Sequence, residues 1–296
     1  MKGIKIVVLA KQVPDTRNVG KDAMKDDGTV NRAALPAIFN PEDLNALEQA
    51  LRIKDSVSGS TVHVVTMGPG RAAEIIREAI YRGADGGYLL SDRAFAGSDT
   101  LATSYALSCA LSNIEYDVIV CGRQAIDGDT AQVGPQVAEK LNLPQVTYAE
   151  EILSIATDKL TIRRRLERGV EVVECPLPAV ITVNGSAAAC RPRNAYRMMR
   201  YKYAKTPSET QEAKTANGES AAYLYLLDSR PHLKITEWNV TNIKSDAKDL
   251  GLSGSPTKVK NIESVVFQAK EAKILQPTDS DLDGLMKELI ASHTIG

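Results

Sequence analysis

The segment Gly122–Pro135 (GRQAIDGDTAQVGP) combines residue types that bind phosphates and sugars. Asp127 and Asp129 could accept hydrogen bonds from ribose hydroxyls, and Asp129 or Thr130 could cap a following helix, whose free N–H groups would attract a phosphate. Glycine at position 128 would allow a positive φ and a close approach of the backbone to a ligand. The segment therefore favours a nucleotide site, although a loop whose acids only cap a helix is equally compatible with it.

Two shorter segments follow other apolar runs. Lys11–Asp15 (KQVPD) comes after the first run of the chain, and Gly68–Gly70 (GPG) comes after the second. Ligands of open parallel sheets bind outside the carboxyl ends of the strands, so both segments are candidate binding loops. Gly68–Gly70 is also compatible with a plain turn between a strand and a helix. The chain contains no G-x-S-x-G motif, and His63 falls inside a predicted strand, so no catalytic side chain is predicted.

The overall composition excludes several classes of protein. The 296 residues carry 36 basic and 37 acidic side chains, a balance that gives no electrostatic basis for binding nucleic acid or an anionic membrane. Aromatic residues make up 5% of the chain, too few for the stacking platforms of single-stranded nucleic-acid binding. No apolar run reaches the roughly 18 residues of a membrane span, so we expect no membrane insertion.

The cysteines and histidines are not spaced as metal ligands. Cys109, Cys121, Cys175 and Cys190 are widely separated, and none of the three histidines lies at ligand spacing from them. We expect no secretory signal, because the first apolar run is short and charged residues follow it at once. Four such cysteines then indicate reduced thiols, no metal ion and a cytoplasmic location.

Apolar runs alternate with amphipathic helical patterns in the first half of the chain. The runs that predict buried strands are Ile4–Leu9, Thr61–Met67, Tyr116–Cys121 and, more weakly, Gly87–Leu90. The patterns that predict helices begin at Pro41 after Asn40 and cover Gly70–Arg82, Asp99–Leu111 and Gln132–Leu141. This alternation predicts an α/β fold with a doubly wound, mostly parallel sheet.

After Pro144, segments typical of β-strands follow one another without helical patterns between them. Lys159–Arg165, Gly169–Glu174 and Ala179–Asn184 are rich in β-formers, and the break at Arg168-Gly169 predicts a hairpin between the first two.

We expect one α/β domain over residues 1–205. Residues 206–222 are polar and contain proline and glycine, which predicts a linker or a mobile loop. Residues 223–296, with a predicted strand Ser264–Phe267 and helix Leu282–Ile290, are too few to close a core of their own. We therefore predict that they form a carboxyl-terminal arm that packs on another surface.

Several short motifs occur together in a fixed order. They are Lys11–Asp15, Asn40-Pro41, Met67–Pro69, Gly83–Asp85, Gly97–Thr100, Gly122–Pro135 and a later Pro176–Pro178 before an apolar strand. As a set they resemble the β subunit of electron-transfer flavoproteins over the first two thirds of the chain. The versions Asp127–Pro135 and Ser91–Thr100 are similar to those of the anaerobic, electron-bifurcating members.

This resemblance implies a flavodoxin-like or adenine-nucleotide hydrolase-like domain that pairs with a larger α subunit carrying one FAD. The arm would wrap that subunit. In bifurcating members, the β site holds a second FAD that accepts hydride from NADH, and electrons pass to the α-subunit FAD and to ferredoxin or flavodoxin. In respiratory members, the β site holds structural AMP, and the α subunit serves an acyl-CoA dehydrogenase or similar flavoenzyme. The sequence leaves both alternatives open.

The rule for open sheets and the matched motifs together place the nucleotide across the carboxyl ends of the strands. The residues expected to bind it are Ala10, Lys11, Asn40, Thr66, Met67, Gly68, Pro69, Asp99, Thr100, Thr103, Gly122, Arg123, Asp127, Gly128, Asp129, Thr130, Ala131, Gln132 and Val133.

A second surface is predicted just before the linker. Aromatic, methionine and arginine side chains are enriched at protein interfaces, and Tyr196–Tyr203 (YRMMRYKY) is rich in all three. An amphipathic segment that covers its own core is equally compatible. On the interface interpretation, the partner-binding residues are Arg191, Arg193, Tyr196, Met198 and Met199.

Overall fold

The computed structural model describes residues 2–15, 36–215, 223–257, 274–292 and 294–295. The strands are β1 (Lys5–Leu9), β2 (Gln12–Pro14), β3 (Ala37–Phe39), β4 (Thr61–Met67), β5 (Gly86–Leu90), β6 (Val118–Gly122), β7 (Gln145–Ile155), β8 (Lys159–Leu166), β9 (Gly169–Pro176), β10 (Ala179–Val183) and β11 (Thr236–Trp238). The helices are α1 (Pro41–Ser56), α2 (Ala73–Arg82), α3 (Thr100–Leu111), α4 (Val133–Lys140), α5 (Ala195–Tyr201), α6 (Pro207–Thr215), α7 (Tyr225–Ser229), α8 (Val240–Ile243) and α9 (Asp279–Ala291).

One large sheet has the strand order β11-β5-β4-β1-β6-β10-β7-β8-β9. Neighbouring strands from β11 to β7 are parallel, whereas β8 pairs antiparallel with both β7 and β9. The chain runs outward from β1 to β5, then returns to β6 on the other side of β1. This reversal creates a switch point between β1 and β6, and it confirms the predicted doubly wound α/β fold.

Side chains of the central strands alternate between two covered faces. On β1, Ile6 and Val8 pack in the core beside α1, whereas Val7 and Leu9 pack in the core beside α3 and α4. None of these four side chains is more than 5% exposed. Because both faces are covered, apolar residues occupy successive strand positions, and this continuous run is the pattern by which the sequence predicts the strand.

Helix starts differ from those predicted. Gly70–Ala72 forms a 3-10 turn before α2, and Asp99 lies before α3, where its side chain accepts hydrogen bonds from two N–H groups of the first turn. The expectation that Asp129 or Thr130 caps α4 is wrong. The residue before α4 is Gln132, which makes no capping hydrogen bond through its side chain.

The sequence pattern did not predict β7. Its middle section Ala149–Leu153 (AEEIL) groups polar and apolar residues as a helix would, and its pairing with β8 shifts register twice. Such bulges break the two-residue alternation that identifies a strand. The predicted hairpin is confirmed, because β8 and β9 pair over their full length up to Leu166 opposite Gly169.

The predicted linker is partly helical. Residues 207–215 form α6, which begins with reciprocal hydrogen bonds between Thr206 and Glu209, a strong helix-start signal that the polar composition obscured. Residues 216–222 and the predicted strand Ser264–Phe267 lie outside the described residues. Within the described ranges, no helix combines the length and apolar character that crossing a bilayer needs.

The first part of the predicted arm packs on this chain. Thr236 of β11 lies opposite Tyr88 of β5 in the main sheet, and Leu226 and Leu233 share a buried cluster with Ile76 of α2. The later helix α9 is different, because its described side chains are not buried. The interpretation of the arm as a partner-binding element therefore stays a prediction that now concerns α9.

We predict that Glu209→Gln lowers the free energy of unfolding by about 2 kcal/mol, because a neutral amide replaces the carboxylate that pairs with a buried cation. Arg77 of α2 is 8% exposed and donates to both oxygens of Glu209, at 2.7 and 3.0 Å. Chemical denaturation of the purified chain measures the change. Glu212→Gln, an exposed position on the same helix, is the matched control, and equal effects of both substitutions would contradict the prediction.

Candidate functional site

A cavity of about 800 Å³ opens at the carboxyl ends of β1, β4, β5 and β6, beside the switch point. The predicted binding residues that line it are Ala10, Lys11, Met67, Gly68, Pro69, Asp99, Thr100, Thr103, Gly122, Arg123, Gly128, Thr130, Ala131, Gln132 and Val133. The fold thus brings most of the predicted set together from five separate segments.

Four predicted residues, Asn40, Thr66, Asp127 and Asp129, do not line this cavity. Thr66 lies on β4 between two residues that do, and successive strand side chains point to opposite faces. Its hydroxyl is therefore directed away from the cavity, where it is buried with no hydrogen-bond partner in the described part of the chain. The other three side chains bind neighbouring groups of the protein.

Residues at the N-terminus of α1 hydrogen-bond to the loop after β6 from outside the cavity. The Asn40 side chain donates to the Gln124 carbonyl at 2.9 Å and accepts from the Ile126 N–H at 3.2 Å. Glu42 accepts from the Gln124 N–H at 2.9 Å and pairs with the Arg123 guanidinium at 3.1 Å. Asn40 therefore supports the site through the loop and does not contact the cavity.

Asp43 joins the two strands that flank the switch point. Its carboxylate accepts hydrogen bonds from the N–H of Lys11, just after β1, and of Gly122, at the end of β6, at 2.8 and 2.9 Å. A Cβ at position 122 would lie 2.5 Å from the Asp43 Oδ1 atom, so glycine is needed there. Burial raises the pKa of Asp43 to about 7, although both N–H groups act in the opposite direction.

The two aspartates of the loop after β6 bind the protein itself. Asp127 pairs with Lys11 at 2.7 Å, and Asp129 accepts a hydrogen bond at 2.9 Å from a side chain within the loop. The backbone φ is positive at Asp129 (49°) and Ala131 (53°), but not at Gly128, where an added Cβ would meet no atom within 4 Å. The expected positive φ at Gly128 is therefore wrong, because Asp129 and Ala131 are the left-handed residues of this loop.

A run of five successive backbone N–H groups lies in the cavity lining. Within the described residues, no acceptor is present for the N–H groups of residues 130–134, which line the cavity and lead into α4. Consecutive N–H groups around left-handed residues form concave anion sites, and a helix N-terminus adds partial positive charge. This segment can therefore bind a phosphate or pyrophosphate group.

The wall on the β5 side is built from residues 91–99 and braced by a later segment. Asp99 accepts from the Thr257 N–H at 3.0 Å, and its own N–H donates to Ser255 Oγ at 2.8 Å. Burial acts to raise the pKa of Asp99, but hydrogen bonds from three N–H groups outweigh it and lower that pKa overall.

The sequence analysis missed part of the lining. The lining residues outside the predicted set are Leu9, Asp43, Val65, Gly70, Ser91, Asp92, Arg93, Phe95, Ala96, Gly97, Ser98, Leu107, Cys121, Gln124, Ala125 and Gly134. The position of residues 91–98 directly after β5 was a usable signal, because loops at the carboxyl ends of neighbouring parallel strands meet.

The cavity has no activated nucleophile in its described lining. Cys121 is 6% exposed, and burial raises the pKa of its thiol well above the usual range, so the thiolate does not form near neutral pH. Among the described residues, no three histidine, cysteine or acidic side chains are placed to hold a metal ion. The lining is thus suited to binding and orienting a ligand.

The predicted partner surface divides into two parts. Arg191 pairs with Glu48 at 3.0 Å and with Asp55 at 2.7 Å, and Arg193 pairs with Glu78 at 2.6 Å. These arginines attach the segment before α5 to α1 and α2, so their charges are already neutralised.

Three large side chains of α5 face outward, whereas Tyr201 at its end is buried. Tyr196 and Met199 are 71% and 72% exposed, and Met198 is 37% exposed. Arg197 anchors the helix by donating to the Ile80 carbonyl at 2.6 Å. A fixed helix that exposes large apolar side chains has the composition of an interface core.

The electron transfer flavoprotein domain matches residues 27–220 of this chain, about two thirds of its length. The chain belongs to the electron transfer flavoprotein family. It is 43% identical to the electron transfer flavoprotein subunit beta of Thermoanaerobacterium thermosaccharolyticum. The alignment spans 254 residues, which are 86% of this chain and 85% of that protein.

Two further relatives align over nearly their whole length. The electron transfer flavoprotein subunit beta of Clostridium acetobutylicum is 39% identical over 290 residues, 98% of this chain and 99% of that protein. The caffeyl-CoA reductase-Etf complex subunit CarD of Acetobacterium woodii is 42% identical over 294 residues, 99% of this chain and 100% of that protein. The resemblance to the β subunit is therefore confirmed, and β subunits of electron transfer flavoproteins pair with an α subunit.

We predict that Asp43→Asn lowers stability by about 2 kcal/mol at pH 5, because an amide nitrogen cannot accept a hydrogen bond, whereas both oxygens of the wild-type carboxyl group can accept one even when it is neutral. The raised pKa means that the wild-type carboxyl stabilises the fold fully below about pH 4 and loses this contribution as the pH rises through about 7. The stability difference between wild type and variant should therefore shrink from pH 4 to 7. Denaturant titrations at several pH values measure it, with the exposed Asp158→Asn as control. A difference independent of pH would contradict the role of Asp43.

Proposed function

We propose that this chain is the β subunit of a heterodimeric, electron-bifurcating electron transfer flavoprotein, and that its cavity binds FAD that accepts hydride from NADH. Electrons then pass to the FAD of the α subunit and to a low-potential carrier, ferredoxin or flavodoxin. The observation that carries the proposal is the large cavity at the switch point, whose lining combines an anion-binding segment with apolar side chains.

The volume of the cavity favours a dinucleotide. About 800 Å³ lies near the upper end of the ~300–1,000 Å³ that is common for small-molecule sites. AMP has fewer than half of the non-hydrogen atoms of FAD, so it would occupy a small part of this space. Leu9, Val65, Phe95 and Leu107 supply apolar surface against which a flat ring system could pack.

The donor set fits the phosphates of FAD. The free N–H groups of residues 130–134 suit a pyrophosphate, and Ala131 presents only a methyl group beside it. Asn40 and Glu42 hold the loop in place from outside the cavity, and Asp43 in the lining holds the ends of β1 and β6. These contacts keep the binding groups fixed before a nucleotide arrives, which lowers the entropy cost of binding.

Bound FAD would supply the hydride and electron chemistry. The chain's own residues bind and orient the nucleotide and exclude water from the apolar wall. No described side chain of the lining is placed as a nucleophile, and the buried Cys121 stays protonated. The protein would therefore act through geometry and nearby charge.

Structural AMP in the same cavity is the second candidate. Residues 130–134 form one anion-binding segment, and a single phosphate is enough to fill it. In that case, all redox chemistry would belong to the α subunit.

We further propose that α5 docks a flavoenzyme of the acyl-CoA dehydrogenase type through Tyr196, Met198 and Met199, while Arg191 and Arg193 hold the helix in position. The name of the Acetobacterium woodii relative places that protein in a complex with a caffeyl-CoA reductase, which supports a partner of this kind.

The cofactor content of the full-length chain purified with its α subunit tests the main proposal. We predict two FAD and no AMP per heterodimer, with rapid reduction of one flavin when NADH is mixed in anaerobically. One FAD together with one AMP, and no reduction by NADH, would establish the alternative instead.

The exposed apolar side chains of α9 provide a test of whether the carboxyl-terminal arm binds the α subunit. Leu282, Met286 and Ile290 lie four residues apart and are 51%, 49% and 54% exposed. We predict that replacing all three with serine weakens binding to the α subunit by at least about ten-fold, because their apolar surface would no longer be buried there. Surface plasmon resonance measures the affinity, and the exposed Lys287→Gln on the same helix is the control. Unchanged affinity of the triple variant would rule out α9 as a docking element.

A further inference from the structure

A cleft of about 440 Å³ lies between α6 and α7, near the strand β11 at the edge of the main sheet. None of its lining residues belongs to the cavity at the switch point. The start of α6 is fixed to β11, because the N–H and hydroxyl groups of Ser208 donate to the Glu237 carboxylate at 3.0 and 2.8 Å. The cleft is therefore part of the folded domain and separate from the nucleotide site proposed above.

Three lysine side chains line this cleft. Lys205 and Lys234 are direct partners in a parallel β-bridge, so their side chains leave the backbone on the same side, from positions about 5 Å apart. Lys214 lies on α6, on the helix face that also presents Thr210 and Gln211 to the cleft. The fold thus brings together three cations from three separate parts of the chain.

These lysines have no counter-charge within the described ranges, because no carboxylate there lies at ion-pair distance from their ammonium groups. Asp228 lines the cleft but is too far from all three, and Glu209 of α6 pairs with Arg77 instead. Three lysines and one aspartate give the lining a net charge of +2. Like charges side by side across a bridge are destabilising, so a bound anion would offset a cost that the fold otherwise carries.

The rest of the lining suits a ring and a sugar. Leu224 and the buried Leu227 supply apolar surface, and Tyr225, which is 66% exposed, offers its aromatic ring at the opening. A flat ring system packs favourably on such a side chain. Asp228 and Gln211 carry oxygens that accept hydrogen bonds from sugar hydroxyls.

We propose that this cleft binds a phosphorylated small molecule with at least two negative charges and a flat ring, of the class of a nucleoside diphosphate. Each lysine would contribute a point charge with three donors to the phosphates. The volume lies within the ~300–1,000 Å³ of small-molecule sites, whereas a protein partner needs an interface of roughly 800 Å² on each side. The inference does not depend on which nucleotide occupies the cavity at the switch point.

The experiment uses the full-length chain purified with its α subunit, and ADP is the probe. The variants are the pair Lys205→Gln/Lys234→Gln, the single Tyr225→Ala and a control pair, Lys202→Gln/Lys244→Gln, whose lysines are exposed but line neither space. Isothermal titration at low and high salt measures the affinity for ADP, for pyrophosphate and for a peptide of six glutamates. Hydrogen–deuterium exchange locates bound ADP on the chain.

We expect Lys205→Gln/Lys234→Gln to weaken ADP binding by about ten-fold or more and to reduce its salt dependence, because two charges that face the phosphates are lost. Tyr225→Ala should weaken ADP binding by about three-fold or more and leave pyrophosphate binding unchanged. The control pair should change the ADP affinity by no more than about two-fold. In the wild type, ADP should slow amide exchange in α6 and α7.

Five results would overturn the inference. They are no ADP binding by the wild type, an unchanged ADP affinity in Lys205→Gln/Lys234→Gln, an equal loss in the control pair, equal affinities for ADP and pyrophosphate, and tighter binding of the glutamate peptide than of ADP. The third would indicate a general field of the basic surface, and the last would indicate an acidic protein partner. Equal unfolding midpoints of wild type and variants would show that any loss of affinity does not come from unfolding.

Discussion

The candidate site depends on the buried carboxylate of Asp43, which ties the first turn of α1 to the ends of β1 and β6. Leu47 and Leu51 of α1 are fully buried in the core, so close packing fixes the position of the helix. The hydrogen bonds of Asp43 then fix the two strand ends relative to the helix, and those of Asn40 and Glu42 fix the loop after β6. Anion-binding N–H groups are useful only when such a frame holds them in place.

Much of this arrangement follows from local sequence. The central strands were predictable because burial on both faces requires continuous apolar runs, and the cavity followed from loops that meet at the ends of parallel strands. Asp43 was not predictable, since its partner Gly122 lies 79 positions away and an acid in a first helical turn is usual. Local propensity also misassigned the loop conformation, because Asp129 and Ala131, not Gly128, have positive φ.

The later part of the chain serves two purposes. Its first section completes the domain, with β11 at the sheet edge and Ser255 and Thr257 bracing Asp99 at the cavity wall. The exposed apolar side chains of α9, like those of the earlier helix α5, have no comparable internal partners among the described residues. A chain that builds its own cavity but leaves such surfaces uncovered is typical of a subunit that works within an assembly.

The central claim is that the free N–H groups of residues 130–134 hold the phosphates of the resident nucleotide. Hydrogen–deuterium exchange of the heterodimer, with and without its β-site nucleotide, tests this claim most directly. The account predicts that amide exchange in residues 130–134 slows by about ten-fold or more when the nucleotide is bound. Unchanged exchange in that segment, with protection elsewhere on the chain, would contradict it.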